Sequence, residues 1–171
     1  MLAAARRLPD VGIAHRRTTI STVGWLPGIE RLATEGPSVR LALSLHAADE
    51  ALRSELMPVN DRYPLAEVLA ACRGWSERRR LPVFVEYLML DGLNDRYEQA
   101  VALARVLEPP QAFKVNLIPY NPTDSDFAGS TRAAIDAFRA ALEERGLRAT
   151  VRLTRGREID AACGQLAARA S

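Results

Sequence analysis

The stretch Val39-Arg40-Leu41-Ala42-Leu43-Ser44-Leu45 is a nearly continuous apolar run of strand length. Such a run is typical of a strand covered on both faces, as in a parallel sheet flanked by helices. Val83–Leu90 and Phe113–Ile118 are further predicted strands, and the β-branched segment Thr18–Val23 precedes all three. The sequence therefore predicts a parallel sheet in which residues 39–45 form an inner strand.

Segments with helical spacing of apolar residues alternate with these strands. Asp49 is a candidate N-cap, Asp95 and Glu98 form a capping-box pattern, and Gly146 is a typical residue after a helix C-terminus. The predicted helices are residues 2–9, Leu26–Glu35, Asp49–Met57, Pro64–Arg80, Asp95–Leu107 and Thr131–Arg145, and a last strand is predicted at Arg148–Leu153. This order gives an α/β fold, and periodicity alone leaves open an open doubly wound sheet or an arc of a barrel.

Composition narrows the class of protein only broadly. The chain has 171 residues, a formal charge of +2 and a single lysine, Lys114. Arginine suits phosphate recognition, although a GC-rich genome gives the same bias. Cys72 and Cys163 are far apart, which indicates neither a disulfide framework nor a zinc site. No secretory or membrane-spanning stretch is present, so we expect a soluble cytoplasmic protein without a membrane partner.

Polar side chains gather where the predicted strands end. Ligands of parallel α/β sheets bind at the carboxyl ends of the strands, so these residues are candidates for contacts to a ribose, an adenine or an amino-acid group. They are also residue types that simply cap turns, and for any one of them that interpretation is favoured. The set comprises Ser21, Thr22, Ser44, His46, Asp91, Asn94, Asn116, Asn121 and Arg155.

Glycine-rich phosphate loops are missing from the sequence, which has neither GxGxxG after the first strand nor GxxxxGK[ST]. Arg78–Arg80 ends a predicted helix, where positive charge is stabilising, and this triplet is interpreted as structural. A denser basic group could contact RNA phosphates or could be a solvated strand edge. It comprises Arg145, Arg148, Arg152, Arg155 and Arg157.

Cys163 follows the arginine-bearing loop and lies on a short helical run in Asp160-Ala161-Ala162-Cys163-Gly164-Gln165-Leu166. A buried structural cysteine is the simpler interpretation. The functional alternative is a thiol whose ionisation is favoured by Arg155, Arg157 and a helix N-terminus.

Five segments follow one another along the chain: Ser21–Gly24, Ser44–Ala47, Glu86–Asp95, Asn116–Pro122 and Asp160–Leu166. In this order they resemble the successive motifs of the RlmN/Cfr family, and they favour its RlmN branch. The members of that family are radical-SAM methyltransferases that act on adenine in RNA. The resemblance implies a parallel-sheet arc of a partial (β/α) barrel of the radical-SAM type. It also implies carbon-2 methylation of adenine in ribosomal RNA and transfer RNA.

The resemblance assigns roles by position. Ser21, the segment Ser44-Leu45-His46 and Asn121 correspond to S-adenosylmethionine contacts. Cys163 corresponds to the cysteine that accepts a methyl group and then carries it to adenine as a methylene radical. A cofactor must supply that radical, because an electron-poor adenine carbon cannot attack a methylsulfonium.

One departure from the family concerns the 4Fe-4S cluster, which the family holds with CxxxCxxC. A sequence with two cysteines cannot supply three cysteine ligands. The sequence also lacks the glycine-glutamate motif, the N-terminal RNA-binding extension and the second cysteine of the family. We therefore expect residues 1–171 to be a single C-terminal portion of the methyltransferase core that lacks the first two barrel strands and is inactive alone.

Three interpretations stay open at this point. The chain is one half of a split enzyme or a truncated form, with a second chain supplying the cluster. Alternatively it is a noncatalytic module that binds S-adenosylmethionine or RNA, or a remnant that folds poorly. The unpaired side of the first strand would be a docking surface or an aggregation hazard in each case.

Overall fold

The computed structural model describes residues 2–121 and 126–152, which form one sheet of five parallel strands and six α-helices. The strands are β1 (Thr19–Thr22), β2 (Arg40–Ser44), β3 (Val83–Met89), β4 (Phe113–Pro119) and β5 (Arg148–Val151). The helices are α1 (Leu2–Arg6), α2 (Leu26–Glu35), α3 (Glu50–Leu56), α4 (Leu65–Arg79), α5 (Tyr97–Val106) and α6 (Arg132–Glu143). The α/β alternation predicted from sequence is confirmed.

The spatial order of the strands is β1-β2-β3-β4-β5, the same as their order in the chain. In a doubly wound sheet the order reverses at a switch point, whereas each strand here adds to the same edge. Successive right-handed crossovers then place the helices on one face of the sheet. The sheet is therefore an arc of a (β/α) barrel, and β1 forms one of its open edges.

The helix-covered face of the sheet holds the core. Alternate residues of β3, from Val83 to Met89, are fully buried, and Tyr87 among them lies 5.3 Å from the Phe138 ring of α6. Trp75 and Cys72 extend this core into α4. An aromatic pair at this separation adds to the free energy gained from burial alone.

The opposite face of the sheet is the inner face of the arc, where β3 and β4 are only half-buried. Phe84, Glu86 and Leu88 of β3 alternate with the buried residues, and Lys114 and Asn116 continue the same rows on β4. On β2 the expected burial of both faces is confirmed, since the successive residues Leu41, Ala42 and Leu43 are all buried. The inner face is the side on which a ligand can approach the sheet.

Two local predictions have different outcomes. Asp49 caps α3 as predicted, since its carboxylate accepts a hydrogen bond from the Leu52 N–H at 2.9 Å. The capping box at Asp95 and Glu98 does not form, because α5 begins two residues later. The Asp95 carboxylate instead accepts from the Gly92 N–H at 3.0 Å and closes the turn after β3.

The arginine triplet has the structural role predicted for it. Arg79 donates hydrogen bonds to the backbone carbonyls of Leu32 and Gly36, both at 2.7 Å, and so holds the end of α2 against α4. Across residues 2–121 and 126–152, every helix is too short or too polar to cross a bilayer. The predicted helix that carries Cys163 lies outside the described residues.

Candidate functional site

The site is built at the carboxyl ends of the strands, beginning with the open edge of β1. Ser21 and Ser44 line a groove of about 320 Å³ there, together with Trp25 and apolar residues of α2 and β2. Ser21 lies opposite Ala42, and Ser44 ends β2. Both predicted serines thus lie on the inner face, and neither hydroxyl has a hydrogen-bond partner among the described residues.

His46 follows β2 directly and has a left-handed backbone, with φ of 62°. Its Nδ1 accepts a hydrogen bond from the Leu88 N–H at 3.1 Å. Burial, with a smaller contribution from the nearby Arg53 guanidinium, lowers the His46 pKa to about 4. A neutral imidazole that accepts at Nδ1 carries its proton on Nε2, so His46 is a hydrogen-bond donor at neutral pH.

The backbone around His46 is held by Asn94, a fully buried residue in the turn after β3. The Asn94 amide nitrogen donates to the carbonyls of His46 at 2.9 Å and Leu88 at 2.7 Å. Its amide oxygen accepts from the Leu90 N–H at 2.8 Å. One side chain therefore joins the ends of β2 and β3.

A row of polar residues crosses the inner face just below this rim. Ser44, Glu86, Asn116 and Thr150 are in register on adjacent strands. Thr150 donates to the Asn116 amide oxygen at 2.7 Å, and the Asn116 amide nitrogen donates to the Glu86 carboxylate at 2.8 Å. The row ends beside Ser44 on a carboxylate, which is an acceptor for donor groups of a ligand.

The two other predicted ligand contacts, Leu45 and Asn121, differ in what they can offer a ligand. Leu45 is fully buried and its N–H donates to the Glu86 carbonyl at 3.0 Å, so only its backbone could meet a ligand. Asn121 lies two residues beyond β4, and its amide oxygen is buried with no hydrogen-bond partner in the described part of the chain. A buried acceptor without a partner is costly, and a ligand N–H or O–H would satisfy it.

The loop between β1 and α2 is anchored by a buried arginine. Arg53 of α3 donates to the Val23 carbonyl at 3.0 Å and to the Asn60 amide oxygen. Asn60 in turn donates to the Glu50 carboxylate at 2.6 Å. Gly24, with φ of 109°, lies against the Arg53 guanidinium, where a Cβ would approach it to 3.2 Å. The loop beside Ser21 is thereby fixed to α3.

The thiols do not form a metal centre in the described structure. Cys72 is fully buried in α4, and burial raises its pKa to about 12. Cys163, Arg155 and Arg157 lie outside the described residues, so their predicted proximity remains a prediction. Over residues 2–121 and 126–152 there is no group of three or more metal-ligating side chains. The described residues therefore do not fit a three-cysteine cluster.

The predicted site residues are partly brought together. The structure places Ser21, Ser44 and His46 along the ends of β1 and β2 and places Asn121 beyond β4 at the same end of the sheet. Sequence reasoning did not single out Glu86 as a site residue. The sequence feature that could have identified Glu86 is that it is the lone carboxylate in the otherwise apolar run Val83–Leu90.

The predicted basic group is divided in the structure. Arg145 is engaged within the fold, since it donates to the Tyr97 hydroxyl at 2.8 Å and its guanidinium lies over that ring. Arg148 and Arg152 are exposed on and just after β5. These two arginines therefore remain available at the edge of the sheet.

No protein-family model matches the chain. It is similar to curated proteins named "Probable dual-specificity RNA methyltransferase RlmN". It is 53% identical to that of Moorella thermoacetica over 91% of this chain and 44% of the relative. It is 48% identical to that of Chloroflexus aurantiacus over 98% of this chain and 47% of the relative. The chain thus spans less than half the length of these relatives.

Solved structures agree with this likeness. A radical SAM methyltransferase from Sphaerobacter thermophilus superimposes with a TM-score of 0.86 at 46% identity, over 91% of this chain and 46% of that one. A domain of pyruvate-formate lyase-activating enzyme from Bacteroides vulgatus has a TM-score of 0.69 at 16% identity over 89% of each chain, which shows a shared fold. The chain belongs to the RlmN/Cfr family of radical-SAM methyltransferases, in its RlmN branch.

Proposed function

We propose that this chain is the S-adenosylmethionine-binding portion of an RlmN-type enzyme that methylates carbon 2 of adenine in ribosomal RNA and transfer RNA. The observation that carries the proposal is the rim of Ser21, Ser44, His46 and Asn121 at the carboxyl ends of the strands. This rim occurs in a chain that is about 50% identical in sequence to RlmN proteins over the aligned residues.

The donors and acceptors of this rim fit S-adenosylmethionine. Ser21 and Ser44 offer hydroxyls, and His46 offers an N–H donor. Asn121 offers a buried acceptor that has no partner among residues 2–121 and 126–152. Because His46 is neutral at pH 7, it does not repel a sulfonium cation. S-adenosylmethionine would supply the methyl group, and these four residues would bind and orient it.

Cys163 is the residue we propose as the methyl acceptor. As a thiolate it would form a carbon–sulfur bond to the methyl group while the methyl–sulfonium bond breaks and a neutral thioether leaves. Arg155 and Arg157, close in sequence, would favour the thiolate. Cys72 is not suited to this role, since it is fully buried and its pKa is raised to about 12.

The 4Fe-4S cluster of the family does not fit this sequence, which has two cysteines in all. We propose that the cluster ligands lie in the part of RlmN proteins that this sequence does not span, and that this part packs against the open edge of β1. The groove beside Ser21, lined by Ile20, Ile29 and Leu32, supports docking at this edge because an apolar strand edge is suited to adding a strand.

RNA would approach along the β5 edge of the sheet. Arg148 and Arg152 are exposed at the β5 edge, and Arg155 and Arg157 follow in sequence, so this edge is our proposed contact for phosphates. An RNA substrate and a free cysteine such as Cys72 both favour a reducing cytoplasm as the site of action.

The test is to measure 2-methyladenosine by mass spectrometry in ribosomal and transfer RNA of a strain lacking its own enzyme. The chain is expressed alone, and also with the cysteine-triplet portion of a curated relative. We expect the product only with both polypeptides, and its loss in C163A but not in C72A. Product from the chain alone would refute the need for a partner, and none with both would refute the proposed activity.

A further inference from the structure

Among the residues that no family motif assigns to ligand contact, Asn94 has the most complete set of contacts to the site. Its amide has one acceptor and two donor hydrogens, and all are used on backbone groups of two different strand ends. Because the oxygen accepts from a backbone N–H, the orientation of the amide is fixed. An aspartate could not replace it, since a carboxylate has no N–H to donate.

The partner of Asn94 on the β2 side is the carbonyl of His46, a residue in a left-handed conformation. Non-glycine residues adopt positive φ at a cost and persist there when surrounding contacts hold them. On the β3 side Asn94 binds the carbonyl of Leu88, whose N–H occupies His46 Nδ1. Asn94 thus fixes the His46 backbone relative to the Leu88 N–H, the group that sets the tautomer of the His46 ring.

We propose that Asn94 is the positioning residue of the site, holding His46 so that its ring presents an Nε2–H donor to S-adenosylmethionine. This inference rests on the proposed function for the identity of the ligand. The donor suits an acceptor atom of the ligand, such as a ribose oxygen, an adenine nitrogen or the carboxylate. With Asn94 removed, the His46 carbonyl loses its hydrogen bond to the turn after β3, and the Leu88 N–H holds the Nε2–H tautomer less firmly.

The test uses N94A and N94D, with Y87F as the matched control. Tyr87 donates to the Asn94 backbone carbonyl at 2.8 Å. Y87F therefore removes a buried hydrogen bond from the same turn but leaves the three hydrogen bonds of the Asn94 side-chain amide in place. The readouts are the long-range proton–nitrogen spectrum of the histidine rings and the Kd for S-adenosylmethionine. H15Q assigns the signals, since His15 is the other histidine of the chain.

We expect the wild-type and Y87F spectra to show His46 protonated on Nε2 alone, with the same Kd. In N94A and N94D we expect mixed tautomers and a Kd raised about tenfold. If the wild-type spectrum shows His46 protonated on Nδ1, the inference is wrong. This result needs no variant, so the inference can be refuted even if the Asn94 variants do not fold. Unchanged tautomer and Kd in a folded Asn94 variant would also overturn it.

The two proposals fail separately in this experiment. If the wild-type chain does not bind S-adenosylmethionine but Asn94 variants still change the tautomer of His46, the proposed ligand is wrong and the positioning of His46 stands. If the chain binds the ligand and the Asn94 variants bind it equally well, the ligand is right and the positioning role is wrong.

Discussion

At the scale of single residues, His46 combines three unusual properties: a left-handed backbone, a half-buried ring with a lowered pKa, and a ring nitrogen used as an acceptor. The backbone carbonyl of His46 and its Nδ1 both bond to the β3 end that Asn94 closes. A histidine held in this way remains neutral in a site proposed for a cation.

A pH dependence of stability follows from the lowered pKa of His46. Folding lowers the His46 pKa from 6.5 to about 4, so the unfolded chain binds the proton more tightly than the folded chain does. The contribution of neutral His46 to the free energy of unfolding is therefore fully present above pH 6.5 and is lost as the pH falls toward 4. Between about pH 7.5 and 5 we expect the wild type to lose about 2 kcal/mol more free energy of unfolding than H46Q, measured by urea denaturation. Equal losses in the two proteins would contradict the assignment.

Sequence reasoning identified Ser44, His46 and Asn94 as polar residues at strand ends, but it could not assign what each contacts. The contacts of Asn94 and the row from Glu86 to Thr150 depend on which residues lie opposite each other on adjacent strands. That register is set by tertiary packing, and a single sequence does not state it.

At the scale of elements, most helix and strand limits could be predicted, because apolar periodicity and punctuating residues mark them. The segment Leu26–Glu35 agrees with α2 at both ends. The failed capping box at Asp95 shows the limit of local patterns, since the side chain has a competing partner in the Gly92 N–H.

The Arg53–Asn60 pair gives a prediction at this scale. N60A leaves the buried Arg53 guanidinium without its Asn60 acceptor, so we expect a loss of about 1 to 3 kcal/mol in the free energy of unfolding. E55A, an exposed change in α3, the helix that carries Arg53, should cost much less. Equal effects of N60A and E55A in chemical denaturation would show that the pair does not stabilise the fold.

At the scale of the whole molecule, the order of the strands decides the architecture. Sequence patterns predicted five parallel strands but left two architectures open, because both have the same alternation of strands and helices. The order β1-β2-β3-β4-β5 selects the barrel arc and leaves β1 at an edge.

The fully buried Cys72 reports on opening of this core. In a C163A variant, Cys72 is the remaining thiol, and its burial and raised pKa should make it unreactive toward a disulfide reagent in the native state. We expect labelling to proceed at the rate of unfolding and to become rapid in denaturant. Rapid native labelling would contradict the packing of α4 on the sheet.

The central claim is that the rim at the carboxyl ends of the strands binds S-adenosylmethionine, and calorimetric titration of the purified chain tests it most directly. We expect saturable binding to the wild type, weakened about tenfold or more by S44A and by H46Q, which each remove a proposed contact. E55A changes an exposed residue that is not among the proposed ligand contacts, so it should bind the ligand like the wild type. Absence of binding to the folded wild type, or equal binding by all four proteins, would contradict the account.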